Sequence, residues 1–171
     1  MTSIDKQILA KRILHETVIP ALDKVGLGGL ADQELVLGTG IQESGLIFRR
    51  QHGNGPARGL WQMEPRTFYD LWNSFVGRDR MLHDALEAIA GSMHPTPDML
   101  ASNDQFAAAM CRVLYRRMPT PLPDAGDIKA QARYWKKYYN TPLGAGKEFE
   151  YVRNWNMYVT TDTWTPWGEA K

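Results

Sequence analysis

A single cysteine, Cys111, occurs in 171 residues, so no internal disulfide can hold the chain together. It lies in Phe-Ala-Ala-Ala-Met-Cys-Arg-Val-Leu, residues 106–114, an apolar helical pattern that reads as core. Long hydrophobic runs are lacking as well: none reaches the roughly 18 apolar residues that cross a bilayer. The opening Met-Thr-Ser-Ile-Asp-Lys has no apolar export segment, which predicts neither a transmembrane helix nor a signal peptide. No charge sign dominates, since 20 Lys and Arg meet 19 Asp and Glu for a net charge of +1. That balance speaks against a nucleic-acid partner held by a broad positive field. Phosphate loops, dinucleotide fingerprints and Ser-His-Asp signatures are missing. His15, His52, His83 and His94 are scattered without metal-ligand spacing, which predicts no metal and no cofactor.

What is present suits one folded domain spanning residues 1–171, because 43% hydrophobic and 23% charged residues are ordinary globular values. Ile8, Leu9, Ile13, Leu14 and Val18 predict an amphipathic helix over 4–22, bent or ended near Pro20. The breakers Gly26, Gly28 and Gly29 precede Asp32, read as the cap of a second helix that runs through Glu43. Pro65 starts a third, with Phe68, Leu71, Trp72 and Phe75 on its apolar face, and Gly91 closes a fourth over Met81 to Ile89. Ser102 to Gln105 fits a capping box ahead of a helix reaching Met118. Two more helices are expected over about 127–139 and 147–159, while Val159-Thr160-Thr161 can be extended. The expected fold class is all-α.

The most informative stretch is Gly-Ile-Gln-Glu-Ser-Gly-Leu-Ile-Phe-Arg-Arg-Gln-His-Gly-Asn-Gly-Pro-Ala-Arg-Gly-Leu-Trp-Gln-Met, residues 40–63. Glu43 falls in a helix's last turn and shares a stripe with Val36, Thr39 and Gly40, all small or apolar. Desolvation and the negative helix end both disfavour its anion, which predicts a raised pKa of the kind a general acid uses. Gly38 and Gly40 each cost about 1 kcal/mol against alanine in a helix, so another element or a ligand is expected to approach there. These features leave two readings open, a catalytic acid or a carboxylate at a helix end.

Glu43-Ser44, a loop, Gly59-Leu60-Trp61-Gln62, then Pro65 and Thr67 resemble the lytic transglycosylase branch of the lysozyme-like superfamily. In that family a helix ending in Glu-Ser is followed by a Gly-Leu-Met-Gln turn. Tyr138-Tyr139-Asn140 before Gly144 is similar to the family's Ala-Tyr-Asn-Ala-Gly segment, and Tyr151-Val152 to its late Tyr-Val. The motif-bearing part covers about residues 32–159. Trp61 stands where methionine is usual, and Thr141-Pro142-Leu143 departs from Ala-Gly-Pro.

The resemblance implies a lysozyme-like fold and a peptidoglycan substrate cut between N-acetylmuramic acid and N-acetylglucosamine. Glu43 is then the catalytic acid, with Ser44, Arg58, Trp61, Gln62, Tyr139, Asn140 and Tyr151 as substrate-binding candidates. Arg49, Arg50 and Arg58 are candidates for the carboxylates of muramoyl peptides. Glu64 and Asp70 are the candidate second acids that a hydrolase needs; Glu64 reads better as a cap and Asp70 as an exposed helix position. The chain is similar to phage endolysins or virion-associated wall enzymes, with action on the periplasmic cell wall and virion proteins or holin-dependent release as the implied associations. A hydrolytic muramidase and a non-catalytic virion or wall-binding protein are the alternatives.

Overall fold

The computed structural model describes residues 1–50, 53, 55–140 and 144–166. The described residues are mostly helical and contain no β-strand. Helix α1 (Ser3–Ile13) continues through a π-helical turn, Leu14–Val18, into α2 (Ile19–Lys24). Pro20 explains that join: it has no N–H for the carbonyl of Glu16, one turn back, and the Gln105 side-chain amide donates to that carbonyl instead, at 3.1 Å.

Helix α3 (Leu30–Ser44) is capped by Gly29 rather than by Asp32. Asp32 lies in the first turn, where its carboxylate receives the Arg112 guanidinium. The far end stops at Gly45 in the left-handed conformation, φ 60°, as helix C-termini favour. Pro65 occupies the first position of α4 (Pro65–Ser74), and α5 (Arg80–Ala90) ends at left-handed Gly91. A short α6 (Met99–Ser102) takes up Ser102, so Asn103 replaces it as cap of α7 (Asp104–Arg116) and accepts from Phe106 N–H at 3.0 Å. Helix α8 (Ile128–Trp135) passes into a second π-helical segment, Lys136–Asn140, and α9 (Glu148–Tyr158) follows. Val159 and Thr160 are extended but pair with no strand among the described residues before a 3-10 turn, Thr161–Trp164.

Helix α7 runs through the core: every residue from Phe106 to Tyr115 is buried, Cys111 included. Burial pushes the Cys111 thiol well above its ordinary pKa, which keeps it protonated and unreactive. Helices α2, α3, α4 and α5 pack around α7, while α9 lies against α1, α3 and α8. The glycines of α3 make room for one of these packings, against α9, and for the chain that follows α3. A Cβ on Gly38 would run into the Tyr151 hydroxyl of α9, and one on Gly40 would lie 2.8 Å from Leu46 and 3.1 Å from the Trp61 indole nitrogen. Another element, not open space, approaches at both positions.

Candidate active site

Glu43 sits in the last turn of α3, one residue before the helix ends, where the sequence pattern puts it. Its carboxylate accepts one hydrogen bond among the described residues, from Trp135 Nε1 on α8 at 2.9 Å. The side chain is half-buried and lines a cleft of about 490 Å³ together with Gln62, Glu64, Thr67, Tyr139 and Asn140. Burial raises the Glu43 pKa from 4.5 to about 7, against the smaller opposing effect of the Trp135 bond. A carboxyl group in this state holds a proton near neutrality and can release it across the cleft.

The turn that follows in sequence is built to support this helix end. Ser44 Oγ donates to Leu60 O at 2.6 Å and accepts from Leu46 N–H at 3.1 Å, which ties α3 to the Gly59–Gln62 turn. Gly59 is left-handed, φ 74°, and stands directly against the Leu100 carbonyl, where no side chain fits. Reciprocal bonds between Arg58 and Met63, at 2.9 and 3.0 Å, close the turn. Gln62 also adopts a positive φ, 48°, and its amide donates to Gly59 O at 2.8 Å and to Phe48 O at 3.1 Å. These bonds fix its side chain in the cleft wall.

Tyr139 and Asn140 reach the cleft from the π-helical segment. Tyr139 donates to Trp61 O at 2.6 Å, and Asn140 Oδ1 accepts from Lys136 Nζ at 2.8 Å. The same ammonium donates to Gly144 O at 2.7 Å, which links the segment to another cleft residue. A π-helical turn changes the side-chain register within a helix and is frequent at functional sites.

Several sequence expectations change on this geometry. Trp61 is 1% exposed and its indole donates to Val36 O at 2.7 Å, so it packs beneath the site and offers no face to a sugar. Tyr151 is likewise 1% exposed, between Gly38 and Trp135, and Ser44 is buried with its hydroxyl engaged; in this conformation none of the three can touch a substrate. The arginines of the basic loop meet counter-charges from the start of α6 and α7: Arg49 forks onto Asp104, and Arg50 and Arg58 pair with Asp98. Arg58 also donates to the carbonyls of Gly55, Pro56 and Ala57, as a brace for the loop. His52 and Thr141-Pro142-Leu143 lie outside the described residues.

The two candidate second acids separate. Asp70 is exposed, pairs with Arg117 and has its pKa lowered chiefly by that bond. Glu64 takes the cap position of α4 by its backbone alone, without a side-chain cap hydrogen bond, and lines the cleft with Glu43. Sequence reasoning missed Trp135, the donor to Glu43. Its one signal was a shared helical stripe with Ile128, Ala132 and Tyr139, which identifies a buried face but not the acid it meets. Among the described residues no helix is long and apolar enough to cross a membrane. Compared with protein-family models, with curated proteins and with solved structures, the chain matches none.

Proposed function

We propose that the protein is a lysozyme-like lytic transglycosylase that cuts peptidoglycan glycan strands, with Glu43 as proton donor. The observation that carries this reading is a half-buried cleft carboxyl with a pKa of about 7 and a single hydrogen-bond donor. Protonated Glu43 gives its proton to the β-1,4 glycosidic oxygen as the bond to the muramoyl anomeric carbon breaks. The resulting carboxylate then takes the proton of the muramoyl 6-hydroxyl, whose oxygen closes onto that carbon as a 1,6-anhydro ring. No water is consumed, and one carboxyl group serves both steps. A pKa near neutrality suits this double duty, because neither protonation state is strongly disfavoured. Gln62 and Asn140 supply amide groups for the N-acetyl substituents, and Tyr139 stiffens the wall through Trp61 O. The resemblance to phage enzymes makes an endolysin or virion-associated role the corresponding biological setting, with no nucleic-acid partner.

One observation favours a second reading. Glu64 lines the same cleft and spends no hydrogen bond on capping its helix. A second carboxylate there can activate a water, which yields hydrolysis by a muramidase with two acids in place of one. Digestion of purified peptidoglycan by wild type, Glu43→Gln and Glu64→Gln, with the products analysed by mass, separates the two. Transglycosylation predicts anhydro-muramoyl ends, turnover cut about 10²- to 10⁴-fold in Glu43→Gln and little changed in Glu64→Gln. Reducing ends together with a dead Glu64→Gln select hydrolysis. Wall binding without cleavage by the wild type selects the non-catalytic alternative, and equal clearing by wild type and Glu43→Gln removes Glu43 from the chemistry.

A further inference from the structure

Histidine spacing alone predicts no metal site, yet the fold gathers a mixed donor set on α5. His83 and Glu87 are one turn apart on the same helix face, and Asp84 adjoins them. His83 Nδ1 lies 3.7 Å from Asp84 Oδ1 and 3.7 Å from Glu87 Oε2. All three ligand atoms fall within 4.8 Å of one another, the one such group among the described residues. Ligands held at about 2.0–2.2 Å around a tetrahedral zinc stand roughly 3.4 Å apart. The two His83 distances therefore need to contract by a few tenths of an ångström, and the Asp84–Glu87 separation, within 4.8 Å, by at most about 1.4 Å.

The surroundings add to the geometry. The three side chains line a cleft of about 710 Å³ that shares no lining residue with the Glu43 cleft, and a second histidine, His94, lines it too. The His83 ring also rests against Trp72, with ring centres 5.2 Å apart, which restricts its orientation. Imidazole in the set selects a borderline ion such as zinc over magnesium or calcium, which favour oxygen alone. The opposing feature is Arg80, whose Nε donates to both Asp84 oxygens at 3.0 and 2.9 Å. That pair is strongly exposed, with Arg80 at 88% and Asp84 at 53%, and such pairs are weak enough for a divalent ion to displace.

We propose that His83, Asp84 and Glu87 form a binding site for one zinc-type divalent ion, with a further coordination position open to the cleft that His94 lines. This site is independent of the proposed glycan chemistry. The test is calorimetric titration of the whole, metal-stripped protein with zinc chloride at pH 7.5, alone and with excess magnesium. One ion per chain is expected, with affinity lowered at least tenfold by His83→Ala and by Glu87→Gln, and not displaced by magnesium. Arg80→Ala is expected to strengthen binding severalfold by freeing Asp84. Circular dichroism checks that each variant keeps its helices, and zinc is expected to raise the melting temperature of wild type but not of folded His83→Ala. The absence of a binding heat, unchanged affinity in His83→Ala, or equal competition by magnesium would overturn the proposal and leave the trio as a surface cluster of polar side chains.

Discussion

Two glutamates on one helix face opposite fates. Glu34, near the start of α3, is 6% exposed, and its Oε2 accepts from Gly126 N–H and from the Gln131 amide, each at 2.7 Å. Glu43, near the end, accepts only from Trp135 among the described residues and opens onto a cleft. Residue type, helix and burial tendency are shared; the donors and the access differ. A carboxylate supplied with two internal donors holds pieces of the fold together, here the 124–127 turn and α8. One with a single donor and an open side can exchange a proton.

The contrast is most open to attack at Glu34. Truncation by Glu34→Ala strands the buried Gln131 amide and removes the tie to the exposed Gly126 N–H, so a loss of about 3 kcal/mol is expected in denaturant unfolding. Turnover per folded molecule should persist, because Glu34 does not line the Glu43 cleft. A variant that stays stable but loses turnover would reverse the two roles.

Glu43→Gln should act on stability in the other direction. Burial holds the folded-state pKa near 7, above the ordinary 4.5, so ionising Glu43 destabilises the fold. The stability associated with its proton is fully present below about pH 4.5 and is lost as pH rises through about 7. Glutamine never ionises. Wild type and variant should unfold alike at pH 4, and the variant should gain up to about 3 kcal/mol by pH 8, reduced by the solvent that reaches this half-buried side chain. Parallel stability curves across that range would deny the burial penalty.

Trp135→Phe probes the single donor. The lost hydrogen bond and the smaller ring should cost about 2 kcal/mol. The bond favours the carboxylate, so its removal should raise the Glu43 pKa further, and the high-pH limb of turnover should move upward in a pH-rate profile. Tyr151→Phe is the mildest change. The hydroxyl is buried against Gly38 and makes no hydrogen bond among the described residues, so its removal should alter stability by less than about 1 kcal/mol in thermal unfolding.

The legible part of this molecule was local. The Glu43 position at a helix end, the close approaches at Gly38 and Gly40, the bend at Pro20 and the stop at Gly91 all follow from residues within a turn or two of one another. What escaped depends on distant partners. Arg49, Arg50 and Arg58 read as a basic patch because Asp98 and Asp104, which neutralise them, are 40 to 55 positions away. Trp61 read as a substrate-binding candidate because its burial depends on a bare Gly40 and on the carbonyl of Val36, 25 positions earlier. Glu64 read as a cap because its backbone is one, whereas the side chain turns to the cleft. The π-helical turn at Lys136–Asn140 has no periodic signature, yet it carries Tyr139 and Asn140 to the site.

The surroundings of Glu43 keep a proton on it near neutral pH. Carbon-13 NMR titration of glutamate carboxyls, with the Glu43 signal assigned by its loss in Glu43→Gln, measures this directly. The expected midpoint is about 7. Titration of Glu43 near its ordinary 4.5 would contradict it.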